Sequence, residues 1–261
     1  MLLDFRKKLS TESGPLPLDI SMEIQEGTMI GLHGPSGAGK TMLLRCIAGL
    51  ATPDEGIIQS GDDTWFDSNQ GLFIPPQKRR LGFLFQNAPL FPHLSVEENL
   101  KFAANTKEFC KCLLEETGLK ALSNAYPVSL SGGQRQRIGL IQAMAAHPPL
   151  LLLDEPFSAL DPHIRISIQD MILKFYEKNA ITIILVSHQM EDLLRMSQRV
   201  IELRKGKITE DLTREEFLRK RAEQQLSDQG ELIRIRKDEV YQVTGNVVRR
   251  ISDKEILKNV E

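Results

Sequence analysis

The sequence across residues 31–44 is GLHGPSGAGKTMLL, and its eight residues Gly34-Pro35-Ser36-Gly37-Ala38-Gly39-Lys40-Thr41 decide the fold. They fit the pattern G-x-x-x-x-G-K-[ST] between an apolar run predicted as a strand, Met29–His33, and a helix that starts near Lys40. In that context the glycines let the backbone wrap a phosphate, and the helix N-terminus adds positive potential. Lys40 then reaches the β- and γ-phosphates, and the Thr41 hydroxyl binds Mg²⁺. The pattern predicts a nucleotide-binding P-loop.

The composition of the chain is that of an ordinary globular protein. Its 261 residues include 41% hydrophobic and 26% charged side chains, which argues against a disordered or collagen-like chain. The 33 basic and 35 acidic residues leave a net charge of −2, so we expect no nucleic-acid partner. The three cysteines lack the spacing of a disulfide framework or a zinc site. We expect neither a targeting segment nor a membrane span, since the longest apolar runs, Leu150–Leu153 and Ile181–Val186, are far shorter than the ~20 residues that cross a bilayer.

Hydrophobic periodicity divides the chain into three kinds of segment. Alternation from Leu16 to Ile24 predicts a strand with one buried face, in an N-terminal part with antiparallel character. Capping boxes at Ser95–Glu98 and Ser131–Gln134 predict a helical block that follows a short strand at Leu81–Phe85. Buried strands at Leu150–Leu153 and Ile181–Ser187 flank a helix from Asp161-Pro162 to about Asn179, which is a βαβ pattern. The fold class is therefore α/β.

Two adjacent carboxylates, Asp154 and Glu155, follow the run Leu150–Leu153. Ligands of open α/β sheets bind at the carboxyl ends of the strands. Downstream of a P-loop, we interpret Asp154 as a Mg²⁺ ligand, usually through water. Glu155 is then the group that orients or deprotonates the water attacking the γ-phosphate. An isolated Asp-Glu pair would instead indicate a solvated loop.

The motif Leu130-Ser131-Gly132-Gly133-Gln134 is the most discriminating part of the sequence. Two glycines are a poor start for a helix, because each costs up to about 1 kcal/mol relative to alanine. We therefore expect a close approach to this backbone. The N–H groups of the helix end, together with the Ser131 hydroxyl, predict a second anion site far from the P-loop in sequence.

Six elements in one order resemble the nucleotide-binding subunits of ABC transporters. They are the Walker A segment Gly34–Thr41, Gln86 at the end of a strand, the signature Leu130–Gln134, Walker B Leu150–Asp154 with Glu155, the run Ser158-Ala159-Leu160-Asp161, and His188 after a strand. The resemblance covers about residues 15–210. It implies a P-loop NTPase core with an antiparallel β subdomain and a helical insertion subdomain at about 87–149. These parts form an ABC ATPase domain at 1–226, and a short appendage, predicted as β, follows at 227–261.

The resemblance also implies roles for single residues and for partners. Gln86 is expected to touch Mg²⁺ and the attacking water, and His188 to contact the γ-phosphate. Asp161 is expected to cross a dimer interface and also to cap the helix at Pro162. The family works as a head-to-tail dimer, in which Ser131, Gly132, Gly133 and Gln134 of one subunit close over ATP held by the P-loop of the other.

The ligands implied by this resemblance are ATP and Mg²⁺. The implied partners are a transmembrane permease, a second ATPase subunit that would make a homodimer, and, indirectly, a substrate-binding protein. The implied location is cytoplasmic, on the inner face of the cell membrane.

Within the family, the segments 75–86 and 90–96 are similar to importers of oxyanions and iron, and most of all to molybdate importer ATPases. Leu90, Phe91 and Leu94 are then expected to form an exposed apolar contact with the permease, and a buried loop anchor is the alternative. The family stacks adenine on an aromatic residue upstream of Walker A. Residues 7–29 contain no Phe, Tyr or Trp, which leaves Phe5 as the candidate.

Other functions fit the residues less well. An ATPase of an iron, sulfate or polyamine importer, or of an exporter, is the alternative within the family. A soluble ABC ATPase of DNA repair or the ribosome would carry coiled-coil arms or two cassettes, whereas this chain has one cassette and no heptad run. A P-loop kinase outside the family would lack Ser131–Gln134. Cargo is recognised by the membrane and binding-protein partners, so this sequence does not name it.

Overall fold

Parallel and antiparallel strands share one long sheet in this protein. The computed structural model describes residues 1–11, 14–103, 107–225, 231–236, 239–244 and 247–251. Within these ranges the strands are β1 (Leu2–Thr11), β2 (Gly14–Glu23), β3 (Met29–His33), β4 (Glu55–Ser60), β5 (Asp63–Asp67), β6 (Leu72–Phe73), β7 (Leu81–Leu84), β8 (Leu150–Asp154), β9 (Thr182–Val186), β10 (Arg199–Arg204), β11 (Lys207–Thr213), β12 (Glu231–Arg236), β13 (Glu239–Thr244) and β14 (Val247–Ile251). The α-helices are α1 (Lys40–Ala48), α2 (Val96–Ala103), α3 (Lys107–Glu116), α4 (Gly132–Met144), α5 (Pro162–Asn179), α6 (Met190–Met196) and α7 (Arg214–Gln225), and short 3₁₀ helices span Pro76–Lys78, Lys120–Leu122 and Pro127–Ser129.

The parallel part of the sheet carries the order β10-β3-β9-β8-β7. All five positions of β8 and all five of β9 are buried, which is why both strands read as continuous apolar runs in the sequence. Helices cover both faces of this part, and two separate apolar clusters fill the space on either side. The α/β fold class is confirmed, and the carboxyl ends of β3, β8 and β7 lie along one edge.

The antiparallel part continues the same sheet as β6-β5-β4-β1-β2, and β11 joins it to β10. Along β2 the side chains of Leu18, Ile20 and Met22 are buried, whereas those between them are half-buried or exposed. The alternation predicted for this segment is confirmed. Since a sheet with one solvated face needs only every second residue to be apolar, the polar positions carry no cost.

Between β7 and β8 the described residues form helices and no strand. The predicted capping box at Ser95 is present: Glu98 N donates to Ser95 Oγ (3.3 Å), and Ser95 N donates to Glu98 Oε2 (2.7 Å). The single or double helix expected at 95–117 is two helices, α2 and α3. The helix α4 packs on α2 and α3 and also on β7, so it connects the helical block to the sheet.

Arg79 fixes the C-terminal end of α1. Its side chain is 4% exposed and donates to the carbonyls of Cys46 (2.9 Å) and Ile47 (2.6 Å), two of the carbonyls that end α1. Burial lowers its pKa to about 10, yet the guanidinium stays charged at neutral pH. The guanidinium also lies 5.4 Å from the ring centroids of Trp65 and Phe73. The antiparallel part is thereby joined to the helix that follows the P-loop.

The last described strands, β12, β13 and β14, form a separate antiparallel sheet. They fall within the segment 227–261 predicted as a β appendage, of which 227–230, 237–238, 245–246 and 252–261 lie outside the described residues. None of the described helices has the length and hydropathy needed to cross a membrane.

Candidate active site

The P-loop runs from the end of β3 to the start of α1. Gly34 has φ +144°, and a Cβ there would lie 2.0 Å from the carbonyl oxygen of Leu203, so no other residue fits. Gly39 occupies the N-cap position of α1 in a left-handed conformation, and no side chain caps this helix end. The first backbone N–H groups of α1 are therefore left for a bound anion.

Lys40 projects back over the loop. Its ammonium donates to the carbonyls of Gly34 (2.7 Å) and Pro35 (2.9 Å), and the residue is 7% exposed. Burial lowers the pKa of Lys40, whereas the negative charges of Glu155 and Asp154 oppose that shift. The charge is thus held at the floor of the loop, beside the two carboxylates.

Asp154 ends β8 opposite the start of α1. Its side chain is 2% exposed and interacts with the Thr41 side chain. Burial raises the pKa of Asp154, and the interaction with Thr41 and the charges of Arg45 and Lys40 act in the opposite direction. A hydroxyl and a carboxylate, with the Gln86 amide on the same cleft, are oxygen donors of the kind that Mg²⁺ prefers. The residues fit this ion.

Glu155 has a left-handed backbone, with φ +54°. This conformation costs a non-glycine residue about 1–2 kcal/mol, and Pro156 restricts the backbone before it further. A hydrogen bond from Glu155 N to Val186 O (3.1 Å) holds the main chain in this conformation, and the side chain lines the cleft. Strained backbone of this kind is typical of functional sites.

The Glu155 carboxylate is nearly enclosed. Oε2 accepts a hydrogen bond from His188 N (3.3 Å), and Oε1 lies 3.1 Å from His188 Nε2 without a well-aligned hydrogen bond. Burial raises the pKa of Glu155, and His188 partly offsets this through its charge and its backbone N–H. The His188 side chain is 53% exposed. A buried carboxylate with a raised pKa and an oxygen without a hydrogen bond is a suitable general base.

One open cleft brings together most of the residues predicted for nucleotide binding. Its lining includes Ser36, Gly37, Ala38, Gly39, Lys40, Thr41, Gln86, Asp154, Glu155 and His188. Gln86 lies two residues beyond the end of β7 and is exposed. The lining does not include Gly34 and Pro35, whose carbonyls accept from Lys40, nor does it include Ser131, Gly132, Gly133, Gln134 or Asp161. In the described residues no group of three or more Asp, Glu, His or Cys side chains is arranged so that those side chains alone could hold a metal ion.

The start of α4 is a separate helix end, and it is capped by its own residues. Gln134 N donates to Ser131 Oγ (3.2 Å), and Ser131 N donates to Gln134 Oε1 (2.8 Å), so the capping box predicted here is confirmed. A Cβ on Gly133 would lie 2.8 Å from the Ala159 carbonyl oxygen, and a Cβ on Gly132 would meet nothing within 4 Å. The close approach expected from the sequence is therefore internal at Gly133, whereas the surface over Gly132 is open.

Asp161 occupies the N-cap position of α5, but its side chain makes no capping hydrogen bond. The expectation that this carboxylate caps the helix is wrong. Pro162 at the first position removes one N–H that needs a partner, and the Asp161 carbonyl accepts from Arg165 N (2.8 Å). The carboxylate remains exposed on the surface.

Phe5 is not available to stack on a base. It lies on the buried face of β1, opposite Ile20 of β2, and is 2% exposed. The side chain that reaches the cleft from this strand is Leu9, four residues further along the same face. Period-two alternation extended from Leu3 and Phe5 would have identified Leu9, which sequence reasoning missed because it sought an aromatic residue.

The loop before α2 presents less apolar surface at its predicted positions than expected. Phe91 is 37% exposed, whereas Leu90 and Leu94 are half-buried. The larger contribution comes from Phe102 on α2, which is 73% exposed and packs on Phe91 with ring centroids 4.8 Å apart. Sequence reasoning missed this residue.

The fully buried Asn99, also on α2, holds that loop in place. Its side chain accepts from Phe91 N (2.8 Å) and donates to the carbonyls of Phe91 (3.1 Å) and Leu94 (3.0 Å). The loop anchor is thus a polar side chain, which an apolar pattern does not predict.

Comparison with known proteins gives one family. The family model described as ABC transporter matches residues 18–158. A sulfate/thiosulfate import ATP-binding protein of Synechocystis is 40% identical over 208 residues, which are 76% of this chain and 57% of that protein. A molybdenum import ATP-binding protein of Vibrio parahaemolyticus is 37% identical over 198 residues, which are 75% of this chain and 54% of that protein. The chain thus spans little more than half the length of these relatives.

Solved structures agree with this assignment. A dimeric ATP-binding cassette in a post-hydrolysis state, bound to ADP and Pi, superposes with a TM-score of 0.71 at 27% identity. The alignment covers 81% of this chain and 97% of that one.

Proposed function

The chain belongs to the ABC transporter family, and from this membership we propose that it is the ATP-binding and ATP-hydrolysing subunit of an importer. The observation that carries the proposal is the Glu155 carboxylate, which is 8% exposed and lines one cleft with Lys40 and Asp154. A base, a phosphate-binding cation and an oxygen ligand for a metal are what ATP hydrolysis requires.

We propose these roles for the residues of the cleft. The backbone N–H groups of Gly37 to Lys40 and the Lys40 ammonium bind the phosphates. Thr41, Asp154 and Gln86 would hold Mg²⁺, and the chemistry it supplies there is charge neutralisation on the β- and γ-phosphates. Leu9 offers an apolar contact for the adenine base of ATP, in place of an aromatic ring.

In the proposed hydrolysis, Glu155 contacts the attacking water. The carboxylate accepts a proton as the water oxygen bonds to the γ-phosphorus, and the bond from that phosphorus to the bridging oxygen of ADP breaks. The products are ADP and inorganic phosphate. His188, 3.1 Å from the carboxylate, would donate from its exposed side chain to the γ-phosphate.

The separate helix end at Ser131 supports a dimer. Its distance in sequence from the P-loop, and its absence from the lining of the cleft, fit a second anion site that serves ATP held by another subunit. Among the similar solved structures are dimers of an ATP-binding cassette. We propose a head-to-tail pair with Asp161 at the interface, a membrane permease as partner and a binding protein acting through it.

The proposed cargo is a tetrahedral oxyanion, with molybdate as the first choice. The relatives include molybdenum importers and sulfate/thiosulfate importers at similar identity, so sulfate is the specific alternative. The proposed location is the inner face of the membrane, with Phe91 and Phe102 as apolar contacts for the permease.

The test compares uptake in cells that lack this gene, complemented with the wild-type chain or with Glu155→Gln. Radiolabelled molybdate and sulfate are supplied separately at limiting concentration. The molybdate proposal predicts loss of molybdenum uptake that only the wild-type chain restores. Loss of sulfate uptake alone would establish the alternative cargo, and unchanged uptake of both would refute an oxyanion importer.

A further inference from the structure

Gln136 is a buried polar side chain that the proposed reaction does not use. It lies in the second turn of α4 and is 3% exposed. Burial of an amide without partners costs about 1–3 kcal/mol, so its contacts are informative. All of them are made to the segment that begins at Glu155.

The Gln136 amide bridges three atoms of that segment. Nε2 donates to the carbonyl of Glu155 (2.7 Å) and to Ser158 Oγ (3.2 Å). Oε1 accepts from Ala159 N (3.1 Å). One side chain of α4 is therefore attached to the first residue of the loop between β8 and α5 and to two residues further along it.

One of these hydrogen bonds is made to Glu155, the residue with the strained backbone. Glu155 has φ +54° and precedes Pro156, so its peptide plane has few alternatives and needs external support. The Glu155 carbonyl also accepts from Ser158 N (3.3 Å) and Ser158 Oγ (3.1 Å), and Gln136 donates to that hydroxyl as well. Gln136 therefore supports the peptide that follows Glu155, the residue whose side chain lines the cleft.

We infer that Gln136 is a positioning residue for Glu155, and that it connects the Ser131 end of α4 to the proposed catalytic carboxylate of the same subunit. A change at the start of α4 reaches Glu155 through two contacts: Gly133 against Ala159, and the amide of Gln136. The inference rests on the proposed ATP hydrolysis.

The experiment measures steady-state ATP hydrolysis and ATP affinity of the full chain with Gln136→Leu, which keeps the bulk but forms no hydrogen bonds. The matched control is Gln142→Leu on the same helix, whose amide donates to Asn99 O (3.2 Å) on α2 and is remote from the loop. Gln136→Glu is the second variant, because it keeps the acceptor for Ala159 N and loses the donor to the Glu155 carbonyl.

For Gln136→Leu and Gln136→Glu we expect kcat to fall about 10- to 100-fold, because the carboxylate is displaced, with ATP affinity within about twofold of wild type. Gln142→Leu is expected to keep kcat within about twofold at a similar melting temperature. Wild-type kcat in both Gln136 variants, an equal loss in Gln142→Leu, or a parallel loss of ATP affinity would overturn the inference. A wild-type chain without ATPase activity would instead overturn the proposed function.

Discussion

The N-termini of α1 and α4 both suit an anion, but they are built in opposite ways. At α1 the N-cap is Gly39, no side chain caps the helix, and a buried lysine lies beside it. At α4 the N-cap is Ser131, and a complete capping box satisfies the helix end from within. The first site is open to a phosphate as it stands, whereas the second is stable without one.

Under the proposed function, the difference fits a chain that holds two half-sites for the same ligand. The P-loop has the charge and the vacant N–H groups to bind ATP alone. The start of α4 offers a hydroxyl and the open surface over Gly132, and it brings no lysine of comparable burial. It is therefore suited to add contacts to ATP that is already bound, which fits a dimer that closes on the nucleotide.

The largest expected effect follows from removal of the Lys40 side chain, which distinguishes the N-terminus of α1 from that of α4. Lys40→Ala removes the cation of the P-loop. In the proposed complex this cation makes two charge-assisted hydrogen bonds to the phosphates, each contributing about 1.5–3 kcal/mol, so their loss should lower ATP affinity at least about 100-fold. Titration calorimetry of the purified chain measures this. Lys8→Ala, at an exposed lysine on β1, is the control and keeps wild-type affinity. Unchanged affinity in Lys40→Ala would contradict the P-loop assignment.

A substitution at the start of α4 is expected to lower the rate of ATP hydrolysis without lowering ATP affinity. Ser131→Arg fills the open surface beside Gly132, so the chain is expected to bind ATP within about twofold of wild type yet lose about 100-fold in ATPase rate. Ser167→Arg adds the same charge and bulk to an exposed position of α5 and leaves the rate unchanged. An ATPase rate in Ser131→Arg equal to that of the control would show that α4 takes no part.

Much of this arrangement could be predicted from the sequence, because short motifs encode local geometry. The P-loop, the strand before it, the helix after it, and the two capping boxes at Ser95 and Ser131 appear as predicted. Each depends on residues within three or four positions of one another, where local hydrogen bonds decide the conformation.

The residues that sequence reasoning missed or misjudged depend on distant contacts. Phe5 is buried by β2, Leu9 enters the cleft through sheet pairing, and Phe102 meets Phe91 across a loop. The role inferred for Gln136 rests on the segment that begins 19 positions further along the chain. No local pattern contains these pairings, since they arise only when the sheet and helices have packed.

A smaller effect is expected on the melting temperature of the nucleotide-free chain when the Glu155 charge is removed. Burial raises the pKa of Glu155, so the folded chain keeps a charged carboxylate at a cost near pH 8. Glu155→Gln removes this charge, and without nucleotide we expect it to melt at a higher temperature than wild type at pH 8.

The gain should shrink toward pH 5, as the wild-type carboxylate takes up a proton with its raised pKa. Scanning calorimetry at both pH values measures the difference. Glu191→Gln, at an exposed position of α6, is the control and shows no such gain. A Glu155→Gln chain less stable than wild type at pH 8 would contradict the desolvation argument.

The smallest expected effect is the loss of folding stability when the N-cap side chain of α4 is removed. Ser131→Ala removes the side-chain acceptor of the α4 capping box and should lower the free energy of unfolding by about 1 kcal/mol. Ser36→Ala, at an exposed position of the uncapped P-loop, should change it by less than about 0.5 kcal/mol. Urea unfolding of both variants without nucleotide measures the contrast, and equal effects would remove the distinction between the two helix ends.

The most direct test of two half-sites that close on one nucleotide is the molar mass of Glu155→Gln in ATP, measured by light scattering. The variant retains the P-loop but lacks the base, so bound ATP should persist and hold two chains together. We predict a mass of 29.5 kDa without nucleotide and twice that value with ATP and Mg²⁺, with no doubling when Ser131→Arg is added. A single-chain mass at saturating ATP, or hydrolysis at the wild-type rate, would contradict the account.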